Sequence, residues 1–413
     1  MGERRSARIR KRGKLLALDA RVPGDDRSYP ILIGAGGLER LGPELQKRAE
    51  VRTVALVSDE NVEPLHGERA RASLEEVGLQ VITITIPAGE AHKSAPVLLD
   101  VIDRMLKGGL GRRDVVVALG GGVVGDLAGL AAALFMRGVA FVQCPTSLLA
   151  QVDASIGGKV AIDLPTGKNL IGAFHFPLAV LIDPEVLTTL DDRMFACGLA
   201  EMLKHGALFS ADHFKQIVDA AEALYARDFE VLTPLLATSV GLKAACVGRD
   251  PWETGEAGKG RVLLNLGHTV GHAIEQASSF ALAHGEAVAL GLRAAARISE
   301  ARGVAQPGLE DTMVAALTRL RLPTELDVWL VGERGEAVER ALSVDKKRTA
   351  SSLSFVALAR LGEPTVLSLS RAEILSLLRE GKRRPADAED AEPPGDGAPS
   401  GDASEPANAS DGQ

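Results

Sequence analysis

The sequence predicts an α/β unit with a mainly parallel sheet, followed by a mostly α-helical unit. Three observations predict it. Up to about residue 183, short apolar runs alternate with stretches of helical periodicity, the rhythm of strand–helix–strand units. Beyond Asp183-Pro184, long helical stretches dominate. Aromatic residues are only 3% of the chain while hydrophobic residues reach 46%, so Ala, Val, Leu and Gly must supply the core, as buried parallel strands and helices require.

Tyr29 to Ile33 reads as a strand, followed by a glycine turn and a helix. Thr53 to Val57 is a second strand, ending at Ser58-Asp59-Glu60-Asn61. Val81 to Ile86 is a third, ending at Pro87-Ala88-Gly89-Glu90. Val97, Val101 and Met105 mark one face of the next helix. Asp114 to Leu119 is a near-continuous apolar run, the pattern of a strand covered on both faces. Past a boundary at about 184, helices are expected over about 192–209, 212–226, 229–248, 267–280, 284–303 and 308–320. Leu353 to Ala359 and Thr365 to Leu369 read as short strands. The domains expected are therefore 15–184 and 185–383.

Charge is unevenly placed. The formal net charge is −8, yet residues 385–413 hold eight acids and no Lys or Arg, so residues 1–384 balance to about zero. The first fourteen residues hold seven bases and one acid. A flexible basic arm over 1–14 and a disordered acidic tail over 384–413 are expected, since the tail has no large apolar side chain to offset chain entropy. Nothing in the body suggests a nucleic-acid face. The three cysteines, Cys144, Cys197 and Cys246, are far apart and form no CxxC pair, which predicts a reducing, cytoplasmic setting. The basic start lacks an apolar h-region, and no run of about eighteen apolar residues predicts a membrane span. Met1-Gly2-Glu3-Arg4-Arg5-Ser6 and Asn408-Ala409-Ser410 fit the myristoylation and glycosylation patterns, but such short matches arise by chance.

Gly120-Gly121-Gly122-Val123-Val124-Gly125 follows a strand and opens a helix. Glycines there let backbone N–H groups approach a pyrophosphate, and the helix N-terminus favours its charge. A turn that merely needs glycines is the plain alternative. The motif lies about 90 residues into its domain, and no acid ends a strand about twenty residues later, unlike the usual Rossmann layout. Acids do end the two earlier strands. Asp59 and Glu90 sit where ribose hydroxyls could bind, and Lys93 could meet a phosphate.

Gly157-Gly158-Lys159 and Gly167-Lys168-Asn169 set lysines beside glycines, which suits an anionic substrate; a Gly-rich hairpin with surface lysines is the alternative. Of eight histidines, His268, His272 and His284 fall within seventeen residues. His268 and His272 share a helical face. Thr269 stands where a zincin would have Glu, which excludes the protease reading. A divalent cation needs a further ligand, and Glu201, an acid within an apolar helical stretch, is the best candidate.

Together these motifs resemble the 3-dehydroquinate synthases of the sugar phosphate cyclase superfamily. The resemblance runs from about Tyr29 to Gly362 and is carried by Gly120 through Asp126, Pro145-Thr146-Ser147 through Asn169, Gly198-Leu199-Ala200-Glu201, Asn265 through His272, His284-Gly285-Glu286 and Asp345-Lys346-Lys347. It implies a Rossmann-like NAD-binding α/β domain, a helical metal-binding domain, an active site between them and a homodimer. Carried over by position, Glu201, His268 and His284 are expected to ligate Zn2+ or Co2+, and His272 to transfer protons. Asp59, Asn61, Glu90, Lys93, Gly121, Gly122, Val123, Asp126, Thr146 and Ser147 are expected to hold NAD. Lys159 and Lys168 stand where nucleotide and substrate meet. Arg137, Asp153, Asn169, Lys204, Lys243, Arg261, Asn265 and one of Lys346 or Lys347 are expected, with Lys159, to hold substrate.

The implied reaction turns 3-deoxy-D-arabino-heptulosonate 7-phosphate into 3-dehydroquinate and phosphate, the second step of the shikimate pathway. It proceeds by transient oxidation with NAD, phosphate elimination, re-reduction and an internal aldol closure. Two departures from the family pattern stand out: the 250–261 segment is about four residues longer than usual, and the stretch Phe174-His175-Phe176-Pro177 has Phe where Gln is usual. The competing readings are a sister cyclase of the 2-deoxy-scyllo-inosose or valiolone type, a metal-dependent polyol or glycerol-phosphate dehydrogenase of similar fold, and a non-catalytic NAD- or metal-sensing relative.

Overall fold

The computed structural model describes residues 9–12, 14–21, 28–255, 260–343 and 352–380. Asp345-Lys346-Lys347, the first eight residues and the acidic tail lie outside the described residues.

Twelve strands and thirteen α-helices are described. The first unit runs β1 (Arg10–Arg12), β2 (Leu15–Ala20), β3 (Tyr29–Ile33), α1 (Leu41–Gln46), β4 (Thr53–Asp59), α2 (Glu68–Glu76), β5 (Gln80–Ile86), α3 (Ala95–Lys107), β6 (Val115–Gly120), α4 (Gly122–Leu134), β7 (Ala140–Pro145), β8 (Lys159–Leu164), β9 (Gly167–Phe174) and β10 (Ala179–Ile182). Eight strands form one sheet in the order β1-β2-β3-β10-β7-β6-β4-β5. From β3 to β5 every pairing is parallel. Only β1–β2 and β2–β3 are antiparallel. Arg10–Arg12, expected in a flexible arm, thus pairs as the edge strand.

Alternation along the strands builds the layers. Ala55, Val57, Val116 and Ala118 point toward α3 and α4, whereas Val54, Leu56, Val115 and Val117 point toward α1 and α2. Both faces are covered, which is why these strands read as unbroken apolar runs. The segment holding Lys159 and Lys168 is the antiparallel hairpin β8–β9, packed on α4 through Val160 and Ile162.

The second unit comprises α5 (Asp192–Phe209), α6 (Ala211–Asp219), α7 (Ala221–Tyr225), α8 (Phe229–Arg249), α9 (His268–Ala277), α10 (His284–Ala301), α11 (Leu309–Arg319), α12 (Gly332–Ser343), β11 (Leu353–Arg360), β12 (Glu363–Leu369) and α13 (Arg371–Glu380). The helix expected over about 212–226 is two helices, α6 and α7, parted at Ala220. The 21-residue α8, with mean hydropathy 1.5, is long and apolar enough to cross a membrane. Its Leu232, Leu236 and Val240 are instead packed in the protein core. Leu18, Ile31, Ile33, Val180 and Ile182 of the sheet share that core with Phe195, Leu199 and Met202 of α5. The two units therefore meet through continuous apolar packing.

Candidate active site

Glu201 sits in the middle of α5, whose residues from Phe195 to Leu208 are all buried. Gly285 packs against the α5 backbone at Cys197, where a Cβ would overlap the chain, and so brings the start of α10 to within one turn of Glu201. Gly291 meets the Gly267 carbonyl just as closely, which pins the start of α9 beside α10. His268 and His284 are the first residues of these two helices. Their Nε2 atoms lie 3.7 Å and 3.6 Å from Glu201 Oε1. Two ligands held about 2.0–2.1 Å from a tetrahedral cation stand roughly 3.4 Å apart, so the spacing fits a shared ion.

The outer nitrogens are engaged. His268 Nδ1 lies 3.1 Å from the Leu266 carbonyl, which accepts its hydrogen bond, and His284 Nδ1 lies 3.4 Å from Glu275 Oε2. Both Nε2 atoms are thereby turned to the centre. Burial lowers His268 to about 3 and His272 to about 4, so both are neutral donors. Burial opposes protonation of His284 as well, but Glu201 and Glu275 outweigh it and raise this imidazole to about 9. Burial would raise Glu201, yet the Lys204 ammonium beside it holds it well below the usual carboxylate range. Neither Glu201 oxygen, both fully buried, makes a hydrogen bond. Lys204 pairs with Oε2, while Oε1 faces His268 and His284, so the point between the two imidazoles is where a further cation would sit. His272 completes a triangle of rings, 5.0 Å from His268 and 5.6 Å from His284.

Asp153, Glu201 and His205 also come within reach of a common ion. That space is already cationic. Asp153 lies 2.9 Å from the Lys243 ammonium and 3.8 Å from that of Lys204. Two ammonium groups thus already surround Asp153, and His268, His272 and His284 form a second group within reach of a common ion.

Buried cations line the adjoining space. Lys204 and Lys243 are almost fully buried, as is Arg261, which donates to the carbonyls of Gly157 (3.0 Å) and Pro251 (2.9 Å). Lys159 is exposed and paired with Glu253. In the 250–255 segment, Trp252 packs edge-on against Phe174 and Phe176, 5.5 Å from each. Asn265 ends the short turn before α9 and is exposed.

The expected nucleotide residues gather along the carboxyl edge of the parallel sheet, where ligands bind in open α/β folds. Asp59 ends β4, Glu90 follows β5, Gly121, Gly122 and Val123 follow β6, and Thr146 and Ser147 follow β7. A Cβ at Gly121 or Gly122 would meet only Ser147 Oγ at 3.6 Å or Ala154 Cβ at 3.4 Å. The protein itself thus does not require glycine there, and the cradle is one that side chains would fill. Asp59 accepts from the N–H groups of Asn61 and Val62, at 2.9 Å each. Lys93 pairs with Asp126 at 2.6 Å and with Asn169 Oδ1 at 2.5 Å, and burial raises Asp126 to about 6 despite that lysine. Lys168 joins both sides, 3.6 Å from Glu90 and 2.9 Å from Glu275. Ala154 lies against Gly122 while its neighbour Asp153 meets Lys204, which touches Glu201. One continuous set of contacts thus links the glycine turn to the Glu201–His268–His284 cluster.

Arg137 does not join the site. It is exposed just after α4, at the opposite edge of the sheet, where Ala140 pairs with Val115 at the start of β6. Lys346 and Lys347 lie outside the described residues. Glu275, Glu253 and His205 were not anticipated, although Glu275 lies seven residues after His268 and on its face of α9, a spacing that could have revealed it.

Comparison with known proteins identifies the family. A family model described as 3-dehydroquinate synthase N-terminal matches residues 83–197, and one described as 3-dehydroquinate synthase C-terminal matches 198–348. The 3-dehydroquinate synthase of Symbiobacterium thermophilum is 45% identical over 345 residues, covering 83% of this chain and 94% of that protein. That of Caulobacter vibrioides is 45% identical over 363 residues, covering 86% and 96%. A 2-deoxy-scyllo-inosose synthase solved with carbaglucose-6-phosphate, NAD+ and Co2+ superposes with TM-score 0.77 at 25% identity, over 88% of this chain and all of that one. A 2-epi-5-epi-valiolone synthase from Streptomyces hygroscopicus with NAD+ and Zn2+ bound also gives TM-score 0.77, at 26% identity, covering 88% and 99%.

Proposed function

The chain belongs to the 3-dehydroquinate synthase family, and we infer that it converts 3-deoxy-D-arabino-heptulosonate 7-phosphate into 3-dehydroquinate and phosphate. It is a carbon–oxygen lyase of the shikimate pathway, working with NAD and one divalent cation, Zn2+ or Co2+. One observation supports this site above all: Glu201, His268 and His284, from three separate elements, face one point beside buried cations and the glycine turn.

When bound, NAD supplies a reversible hydride acceptor and the cation polarises a substrate oxygen as a Lewis acid. Glu201, His268 and His284 would hold the cation, and the Gly121–Gly122 turn with Asp59, Glu90 and Asp126 would hold NAD. Lys159, Lys204, Lys243, Arg261, Asn265 and Asn169 would bind the carboxylate, hydroxyls and phosphate of the substrate. Burial of Lys204, Lys243 and Arg261 sharpens their effect, because charges in a dry site act through a low dielectric. Asp153 fixes the Lys243 and Lys204 ammonium groups, so they are oriented before substrate arrives. His272, neutral and on the open side of α9, would move a proton.

The sister cyclases share scaffold and cofactors, but the chain is 45% identical to 3-dehydroquinate synthases and 25–26% to those sisters. The glycerol dehydrogenase likeness, at 17% identity with a probable glycerol dehydrogenase of Sinorhizobium meliloti, shows fold alone. Three buried free cysteines suit a reducing compartment, and we place the enzyme in the cytoplasm as a homodimer, the assembly the family resemblance implies. The test is phosphate release from the heptulosonate phosphate. It should need both NAD and metal and leave no net NADH. Stoichiometric NADH without phosphate would mean a dehydrogenase.

A further inference from the structure

We propose that Glu275 is a positioning residue for the metal centre, holding His284 in its ligating orientation while fastening α9 to the β8–β9 hairpin through Lys168. The inference rests on reading Glu201, His268 and His284 as the ligands.

Glu275 is 5% exposed, and its two oxygens are divided between two partners. Oε2 faces His284 Nδ1 at 3.4 Å and Oε1 receives the Lys168 ammonium at 2.9 Å. His284 begins a helix and can swivel about its side-chain bonds. Only a partner on Nδ1 fixes which nitrogen carries the proton and aims Nε2 at Glu201, 3.6 Å away. His268 has such a partner in the Leu266 carbonyl, whereas Glu275 is the hydrogen-bonding partner of His284 Nδ1. A carboxylate also makes the imidazole a stronger donor than a carbonyl would.

Lys168 extends the connection. Its ammonium lies 3.6 Å from Glu90 at the sheet edge and 4.7 Å from the centre of the Phe280 ring. Glu90, Lys168, Glu275 and His284 thus form one polar chain from the nucleotide edge to the metal centre, crossing from the first unit to the second.

The experiment titrates the metal-free full chain with Co2+ against a chromophoric chelator and records the visible cobalt spectrum. Glu275→Ala should weaken Co2+ binding roughly 10- to 100-fold and shift the cobalt bands. Glu275→Gln, isosteric and still able to accept from Nδ1, should lose less and recover the band positions in part; it carries the test if the alanine variant fails to fold. Lys168→Met should leave Co2+ affinity and spectrum near wild type. Wild-type affinity and spectrum in both Glu275 variants, with metal lost in Glu201→Gln and His284→Ala, would overturn this inference alone. Wild-type affinity in those last two as well would overturn the ligand reading and this inference with it.

Discussion

Glu201 Oε1 and His268 Nε2 stand 3.7 Å apart with no hydrogen bond between them, although the carboxylate is fully buried. Lys204 neutralises Oε2, and a cation between Oε1 and the imidazole would complete the set. Glu201→Gln removes the charge but keeps the shape. It and His268→Ala should lose bound metal and at least about a thousandfold in rate, because Lewis-acid stabilisation of several kcal/mol disappears. Both should keep wild-type circular dichroism. Full activity with bound metal in either variant would remove the assignment.

The glycine turn makes a separable prediction. Gly122→Ala adds a methyl that meets only Ala154 at 3.4 Å, so stability should change by less than about 1 kcal/mol. NAD affinity should fall about tenfold or more. Gly291→Ala drives a methyl into the Gly267 carbonyl and should destabilise by about 1–3 kcal/mol. Chemical denaturation and NAD titration of both variants read the two effects apart.

Lys159 is exposed and its partner Glu253 lies on the long 250–255 segment, so removing it leaves no buried charge unpaired. Lys159→Ala should raise KM about tenfold or more, the loss of one charged hydrogen bond, with NAD affinity within about twofold of wild type. An equal loss of NAD affinity would move Lys159 to the nucleotide.

Stability should depend on His213. It is buried, bonded through Nε2 to Ser239 at 2.8 Å, and burial lowers it to about 4. The unfolded chain takes up this proton near pH 6.5, before the folded one can, so folding is favoured above that point. The contribution is lost as pH falls from about 6.5 to 4, amounting to about 3 kcal/mol. Urea midpoints across this range should fall less steeply for His213→Gln than for wild type. Parallel curves would contradict the prediction.

Much of this was legible because it depends on periodicity. The Val115–Gly120 run and the helices around Glu201 and His284 follow from spacing alone. The strands Leu15–Ala20, Ala140–Pro145 and Ala179–Ile182 were not read, for they are short runs whose partners lie far away in sequence. The histidines His268, His272 and His284 showed through clustering, but the contacts of Glu275 with His284 and Lys168 come from packing that the sequence does not state. Trp252 against Phe174 and Phe176 was equally hidden, since nothing in the 250–255 sequence names its neighbours.

The most direct measurement is metal-edge X-ray absorption on the Zn2+-loaded enzyme and on His284→Ala. The wild type should show two imidazoles and carboxylate oxygen at about 2.0–2.1 Å, and the variant, after the same zinc loading, no ordered imidazole shell. An unchanged shell in the variant, or a sulfur scatterer in either, would contradict the centre described.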